Sequence, residues 1–406
     1  MIKKFIVSLC LLFTLVSFAQ EGTSSPYSFY GLGDVKFKGT VENRSMGGVS
    51  VFADSIHVNL QNPAQFASLK LTSFAIGGSY LTTKFRTETQ EEKARRTTLD
   101  YLAVGIPAGK LAFGFGLIPY TAVGYKINQT TTGPNATETD YKGIGGMNKV
   151  FFGTAYKITK NINIGAEAQY NFGSIETTSF RTRNDVQYGT NEENISEIQG
   201  FSFTTGLTIQ QKVKSKYTYF GSLVYSPETD LTIKNQRTIT VSGDVDEQPV
   251  QNSTFKSPSK FAIGSGFGIV KKWLIGAEVT MQSTSDLKNR FDDIVGVTFE
   301  NSTRYSFGGY FIPNYNSYSS YLKRVTYRAG VRYENTGMIL RNKSIEDFAV
   351  TAGLGLPLGG TFSKINVGLE IGKRGTVYNN LVEENYINLS IGLSLSDRWF
   401  VKRKYD

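Results

Sequence analysis

The sequence has very few of the residues on which enzyme active sites and metal centres usually depend. Its 406 residues include one cysteine, one histidine and two tryptophans. Cys10 lies in the N-terminal apolar run, so the rest of the chain has no disulfide, thiolate metal site or cysteine nucleophile. His57 has no cysteine or second histidine with which to form a metal site or proton relay, and we expect it to be a plug or surface residue. We find no set of nucleophile, base and orienting group, and we predict no enzyme activity, no catalytic residues, no cofactor and no metal.

Long hydrophobic runs are also absent after the first twenty residues. Lys3 and Lys4 precede an apolar run from Phe5 to Phe18, and a small residue, Ala19, follows it. We therefore interpret residues 1–19 as a signal peptide that is removed after Ala19. No later run reaches the ~18 apolar residues that a membrane-crossing helix needs. A transmembrane barrel is still compatible with the mean hydropathy of −0.22, because its strands are apolar on one face only.

The net charge is +10, but the basic residues are dispersed through predicted turns and loops and do not line one helix. Nucleic-acid binding is therefore not predicted. What the chain has in abundance is glycine, with 42 residues, and aromatic side chains, at 13%. Both are typical of a membrane barrel whose strands have small residues on the inside and aromatic residues on the outside.

Period-two alternation between apolar and small or polar residues recurs along the chain. In 261–269, for example, Phe261, Ile263 and Phe267 alternate with Ala262 and Gly266, as expected of a strand with one apolar face. Such segments predict fourteen strands, placed near 71–86, 97–107, 110–125, 148–158, 162–181, 198–211, 216–233, 260–270, 273–285, 302–312, 324–336, 346–357, 363–373 and 386–396.

The connections between these strands alternate between short and long. Connections after even-numbered strands are mostly short, as in "PAG" at 107 and "KK" at 271, with "PNYNSYSSYLK" from 313 as an exception. Those after odd-numbered strands are mostly long and polar, as in the stretches from 128 and from 235. The pattern predicts an all-β, 14-stranded antiparallel transmembrane barrel over 71–400 in the bacterial outer membrane, with its short turns toward the periplasm. The alternative is a soluble β-sandwich or a two-domain secreted all-β protein.

The segment before the first strand contains "GLGD" at 31, "RSMGGVSVFADS" at 44 and "NLQNPAQFASL" at 59. It resembles the N-terminal hatch of the FadL family of outer-membrane transporters for long-chain fatty acids and hydrocarbons. The resemblance implies that residues 20–70 form a plug inside the barrel, and that Asn62, Pro63 and Ala64 are the family's Asn-Pro-Ala element within it.

Pro119 interrupts the third predicted strand, where a proline removes one ladder hydrogen bond. In the FadL family a kink in the third strand opens a lateral gap in the wall, and the resemblance implies a similar opening here. The alternative is a bulge near the outer rim without a role in transport.

Parity places five charged side chains on the inward face of the predicted barrel: Glu167, Glu278, Glu370, Arg328 and Arg332. Buried carboxylates need partners, so we expect a Glu–Arg network across the lumen. The network either seats the plug and neutralises the lumen, or binds the carboxylate headgroup of a ligand through arginine.

The remaining charged groups have simpler interpretations. The pairs Asp292-Asp293 and Glu383-Glu384 are expected to be solvated charges in outer loops. Residues 401–406 form a basic tail that contains Lys402-Arg403-Lys404 and follows Trp399 and Phe400. This tail either anchors the barrel at the membrane interface or is a docking peptide.

The resemblance implies passive uptake of hydrophobic small molecules similar to long-chain fatty acids. Ligand would enter among the outer loops, the plug would shift, and ligand would leave through the wall near Pro119. The alternative is a non-transporting barrel that serves as a scaffold or accessory subunit of an outer-membrane secretion or assembly machine. The predicted partners are hydrophobic small molecules or lipids, outer-membrane lipids and, for the alternative, envelope proteins.

Overall fold

The computed structural model describes residues 22–133, 136–287, 296–359 and 362–398. The predicted signal peptide, the Asp292-Asp293 pair and the basic tail with Trp399 and Phe400 lie outside the described residues. Among the helices in the described ranges, none has the length and apolar character needed to span a bilayer.

The chain forms nineteen strands and little helix in its described part. The strands are β1 Asp34–Val35, β2 Thr72–Arg86, β3 Glu91–Ala108, β4 Leu111–Thr130, β5 Thr137–Lys157, β6 Ile162–Arg183, β7 Thr190–Val213, β8 Tyr217–Ser226, β9 Thr229–Val241, β10 Asp244–Gln248, β11 Ser253–Ser257, β12 Lys260–Ile269, β13 Trp273–Gln282, β14 Val297–Phe299, β15 Ser302–Phe311, β16 Thr326–Leu340, β17 Lys343–Pro357, β18 Lys364–Arg374 and β19 Glu383–Asp397. One short helix, α1, spans Val41–Arg44, and 3₁₀ turns occupy Pro26–Phe29, Pro63–Ser68, Leu322–Arg324 and Tyr378–Asn380.

Fourteen of these strands close into one antiparallel ring. The ring runs β2 to β8, then β12, β13 and β15 to β19, and β19 pairs back onto β2 from Glu383↔Arg86 to Asp397↔Thr72. The predicted fold class, an all-β barrel of fourteen antiparallel strands, is confirmed. Closure leaves no end strand in the ring, which removes the two free edges of an open sheet.

The five strands outside the ring extend it or cap it. The predicted segment 216–233 divides, because β8 ends at Ser226 and β9 turns away to pair with β7. The polar stretch from 235, expected to be a loop, is the β9–β10 hairpin, followed by β11 against β9. The stretch from 128 likewise contains a continuous ladder out to Thr130↔Glu138. These two loop predictions were wrong because neighbouring chains continue to pair beyond the membrane band.

The expectation that Glu383 and Glu384 are solvated loop charges was also wrong. Both lie in β19, paired with β2, and they are only 8% and 5% exposed. Period-two alternation does not reveal which side of a strand end is covered by another part of the chain.

Outward and inward faces follow the predicted parity. In β12, Ile263 and Phe267 face outward and are 50% and 38% exposed, whereas Ala262 faces inward and is buried. An outward apolar band of this kind faces lipid, so the closed barrel implies an outer-membrane location.

Residues 22–71, which we call the N-terminal segment, lie within the ring. A Cβ at the inward Gly165 of β6 would lie 2.5 Å from the Ala64 amide nitrogen, and one at Gly266 of β12 would lie 2.6 Å from the Phe52 ring. A Cβ at Gly330 of β16 would overlap the backbone of Met46 and Gly47. Because these strands are distributed around the ring, the segment crosses the interior, and the small inward residues make room for its backbone.

Candidate functional site

The Asn-Pro-Ala element ties the N-terminal segment to two strands of the wall. Asn62 is the N-cap of the 3₁₀ turn Pro63–Ser68, and its Oδ1 accepts from the Ala64 amide at 3.0 Å. Pro63 occupies the first position of the turn, where a missing N–H costs nothing. The Asn62 amide nitrogen Nδ2 donates to Ser222 Oγ at 2.8 Å and to the Leu207 carbonyl at 3.2 Å. One fully buried side chain thus caps the turn and holds it against β7 and β8.

Two of the predicted inward glutamates accept from the N-terminal segment. Glu278 Oε2 accepts from the Ser50 amide at 3.0 Å and from the Ser50 hydroxyl at 2.7 Å. Glu167 Oε1 accepts from Lys38 Nζ at 2.9 Å. Both carboxylates are nearly inaccessible to solvent, at 6% and 2% exposed, so these contacts are buried and strong.

Glu370 and Arg332 belong to one network with Asp347 and Tyr386. Arg332 Nη2 lies 3.0 Å from Glu370, 2.9 Å from Asp347 and 2.9 Å from the Tyr386 hydroxyl. Glu370 also lies 4.0 Å from Nε of Arg44, which comes from the N-terminal segment. Arg332 of β16 thus contacts Glu370 two strands away on β18, and the network reaches the N-terminal segment through Arg44.

Arg328 lies nearer the short-turn end of the lumen. It is connected to the N-terminal segment through the side-chain amide of Asn366. Its Nη1 donates to Asn366 Oδ1 at 3.0 Å, and Asn366 Nδ2 donates to Glu42 Oε1 at 2.8 Å. Glu42 belongs to helix α1 of the N-terminal segment. Burial favours its neutral form, but the nearby His57 and Arg328 hold the pKa of Glu42 below its ordinary value. The carboxylate is thus charged, and the chain supplies its counter-charges.

Further contacts between the N-terminal segment and the wall involve residues that the sequence analysis did not propose as site residues. Asp34 Oδ1 accepts from Arg374 Nη1 at 2.6 Å, and Ser25 donates to Glu384. Burial raises the pKa of Asp34, but Arg374 and Lys36 outweigh this effect and lower it below its usual value. Parity alone would have placed Arg374 on the inward face, like Arg328 and Arg332. Its partner lies in a segment without periodicity, so the pairing had no sequence signal.

The wall is interrupted next to Pro119. The ladder between β3 and β4 runs from Ala108↔Leu111 to Leu102↔Leu117. The ladder between β4 and β5 continues past the proline, with a register shift between Pro119 and Thr121. On its other edge, β4 pairs instead with β1 of the N-terminal segment.

The β1–β4 pairing covers the edge of β4 that β3 leaves free. Val35 lies opposite Thr121, and the Lys36 amide donates to the Tyr120 carbonyl at 2.8 Å. Pro119 therefore marks the place where the wall strand changes partner from β3 to the N-terminal segment.

The cavities beside the N-terminal segment include two that are lined by polar and apolar groups in similar proportion. One, of about 170 Å³, lies toward the long-loop end and is lined by charged residues that include Arg44, Asp100 and Arg374. The other, of about 590 Å³, lies toward the short-turn end, with Arg328 and His57 among its lining residues. The described ranges contain no cluster of three or more histidine, cysteine or acidic residues suited to a metal ion.

Comparison with solved structures shows which known barrels have a similar fold. The toluene transporter TodX of Pseudomonas putida superposes with a TM-score of 0.60 at 15% identity, covering 91% of this chain and 100% of that chain. The toluene transporter TbuX of Ralstonia pickettii gives 0.59 at 16%, covering 89% and 99%. A FadL homologue of Pseudomonas aeruginosa gives 0.56 at 12%, covering 89% and 98%. The FadL-like assignment is thus supported at the level of the fold.

These structural neighbours include hydrocarbon transporters, but such low identity establishes a common barrel and not a common substrate. No curated protein matches the sequence. A family model does match, over residues 1–406 and thus the whole chain, and its description is BamG. The protein belongs to the BamG family.

Proposed function

We propose that this protein is a non-transporting outer-membrane barrel that serves as a scaffold or accessory subunit of a secretion or assembly machine. The observation that carries the proposal is the N-terminal segment, which is fastened to the wall by buried polar contacts at several points around the ring. We infer that it acts as a permanent plug. With the lumen occupied, the two ends of the barrel and its outward face are the surfaces left for function.

The free energies of the contacts involved favour an N-terminal segment that stays in place. Removing one partner from a buried ion pair costs up to about 3–5 kcal/mol. A shift of the segment would separate Lys38 from Glu167, Ser50 from Glu278 and Asp34 from Arg374. A hydrophobic solute gains about 0.8 kcal/mol per buried CH₂. Offsetting three separations of that size would take roughly 11 to 19 buried methylenes, in a lumen whose cavities include charged groups in their lining.

Purification of the tagged protein in a mild detergent tests the proposal. We expect envelope proteins that stay bound through a wash at moderate salt, and no acyl chain in the lumen of the isolated barrel. An identically tagged barrel from the same membrane is the control for non-specific capture. Acyl-chain density inside a barrel that purifies alone would overturn the proposal.

The second candidate is passive uptake of hydrophobic small molecules, through a shift of the plug and lateral exit at the wall. It is favoured by the interruption of the β3–β4 ladder beside Pro119. The neighbours named as toluene transporters are compatible with it. In this mechanism β1 has to leave the edge of β4 so that ligand can pass.

A disulfide between β1 and β4 separates the two candidates. Val35 and Thr121 lie directly opposite each other, next to a pair joined by a hydrogen bond, so they belong to the closely spaced kind of cross-strand pair. The double variant Val35→Cys, Thr121→Cys is expected to form the bond, since Cys10 lies in the predicted signal peptide and offers no competing thiol. Because the segment is fixed in our proposal, we expect the oxidised protein to keep the same co-purifying partners as the reduced protein.

The same variant tests uptake directly. Cells that carry the oxidised form are expected to take up oleate at the same rate as cells that carry the reduced form, with each single-cysteine variant as a control. If oxidation lowers oleate uptake to the level of cells without the protein, and reduction restores it, the uptake mechanism is correct and the scaffold proposal fails.

A further inference from the structure

The short-turn end of the barrel has an unusual charge distribution. Its six connections, together with the strand ends that flank them, contain eleven lysines and arginines and no aspartate or glutamate. We call this set the basic turn face: Lys110, Lys157, Lys160, Lys212, Lys214, Lys216, Lys271, Lys272, Lys323, Arg324 and Lys364. The opposite end is rich in acidic residues, among them Glu88, Asp185 and Asp246. The acidic residues of the connections are thus confined to one end of the barrel, where basic residues such as Arg86, Arg183 and Arg237 accompany them.

Within the described ranges the cations of the basic turn face form no close ion pairs, and Lys364 alone is drawn toward carboxylates, those of Asp54 and Glu42. None of the eleven takes part in an ion pair there, and most are exposed. Two of them lie instead over aromatic rings, with Lys271 Nζ 4.4 Å from the ring centre of Tyr315 and Arg324 over Tyr321. An uncompensated cationic surface of this size attracts negatively charged partners.

A cavity opens among these turns and continues into the ring. The cavity of about 590 Å³ has Lys157, Lys160 and Lys271 at its mouth. Deeper inside it is lined by Arg328, by His57 and by the carboxylates of Glu42 and Asp54, and His57 Nε2 lies 3.7 Å from Glu42 Oε1. Seven lysines and arginines line the cavity against two carboxylates, so its lining is cationic on balance.

The position of the cavity selects between two kinds of anionic partner. Lipid headgroups contact a barrel from outside, where the wall meets the bilayer. The cavity lies inside the ring among the short turns, so a flexible chain that approaches from the aqueous side fits it better. Its volume accommodates several side chains, and carboxylates match both the lysine mouth and the arginine below.

We propose that the basic turn face and its cavity bind an acidic peptide segment of a periplasmic protein, whose aspartate or glutamate side chains enter the mouth of the barrel. This inference rests on the proposed role as a subunit and specifies the chemistry of one partner. The shared feature of all suitable partners is a run of carboxylates in an exposed, unstructured segment.

The test measures binding of a fluorescently labelled deca-glutamate peptide to the full-length purified barrel in an uncharged detergent, by fluorescence anisotropy. A deca-glutamine peptide with the same label is the neutral probe. We expect saturable binding of deca-glutamate that weakens as salt rises, because surface charge attraction is screened. Deca-glutamine is expected to bind at least about tenfold more weakly.

A pair of matched variants locates the site. Lys160→Glu with Lys271→Glu reverses two charges that line the cavity, and Lys214→Glu with Lys216→Glu reverses two charges of the same face away from it. Each pair includes one residue at positive φ, Lys271 at 62° and Lys214 at 45°, so the backbone cost is matched. We expect the first pair to weaken deca-glutamate binding by about tenfold or more and the second by about twofold or less.

Three results would overturn the inference. Equal weakening by both pairs would mean general attraction without a site. Absence of deca-glutamate binding would exclude an acidic peptide. Loss of binding when the barrel is placed in nanodiscs that contain phosphatidylglycerol, but not in phosphatidylcholine nanodiscs, would assign the lysines to lipid headgroups. If envelope proteins still co-purify in any of these cases, the subunit role stands and only its partner chemistry is wrong.

Discussion

Replacing Gly330 by leucine is expected to release the N-terminal segment and convert a closed barrel into a conducting one. Gly330 faces inward on β16, and even a Cβ at this position would overlap the backbone of Met46 and Gly47. The segment is held there from both sides, since the Gly47 amide also donates to Thr351 Oγ1 at 2.9 Å. A leucine side chain therefore cannot be accommodated unless the segment moves.

The size of the effect follows from overpacking. Extra methylene groups in a well-packed interior cost about 1–3 kcal/mol and sometimes more. Here the atoms that would be displaced belong to the backbone, so we expect the upper end of that range or beyond. At about 1.4 kcal/mol per factor of ten, the population with a released segment rises by roughly a hundredfold.

Two measurements report that population. Trypsin cleavage after Lys38 or Arg44 requires release of the segment, and ionic current across a planar bilayer requires an open lumen. The control is Gly221→Leu on β8, where the nearest atoms to an added Cβ would lie 3.6 Å and 3.7 Å away, in Tyr219 and Ile209. Heat-modified migration in gels verifies that both variants form barrels. If Gly330→Leu resists trypsin and blocks current as well as the wild-type protein does, the segment is not the element that closes the lumen.

The ring could be predicted from the sequence because its physical signal is local. Each strand alternates with period two, connections on one side are mostly short and those on the other mostly long, and an even strand count brings both ends of the barrel to the same side. Residue parity also placed Glu167, Glu278 and Glu370 inside, where they are found buried. These predictions depend only on which face of a strand a residue occupies and on which side of the barrel a connection lies.

The partners of the inward charges were less predictable. Only Glu370 pairs with an inward arginine of the set, Arg332, whereas Glu167 and Glu278 contact Lys38 and Ser50. The N-terminal segment has no repeat and almost no regular structure, so its path through the lumen is set by tertiary contacts alone. The same reason explains the error at Glu384, which is covered by Ser25 of that segment.

The second large effect is expected for Arg332→Met, and it concerns the stability of the barrel itself. Arg332 is 9% exposed, and one of its nitrogens lies within 3.0 Å of both Asp347 and Glu370. Methionine fills much of the same space but removes the cation that the two buried carboxylates share, and the nearest remaining one is Arg44, 4.0 Å from Glu370. Breaking a buried network in this way costs about 3–5 kcal/mol, and we expect a loss of that order in the free energy of unfolding.

The measurement is denaturant unfolding of the purified barrel in detergent. Arg237→Met is the matched control, because Arg237 forms an ion pair of similar length, 2.9 Å to Glu192, on an exposed extension of the ring. With side chains 42% and 30% exposed, this pair is screened by water, and its loss is expected to cost at most about 1 kcal/mol.

A triple variant separates charge from shape. Arg332→Met combined with Asp347→Asn and Glu370→Gln removes all three charges and keeps similar volumes. Replacement of a whole buried ionic group is often close to neutral, so most of the lost stability is expected to return. If the triple variant is as unstable as Arg332→Met alone, packing and not charge explains the loss. If Arg332→Met is as stable as the wild-type barrel, the arginine is not needed to neutralise the lumen and becomes available for a ligand carboxylate, which is the interpretation that the scaffold proposal rejects.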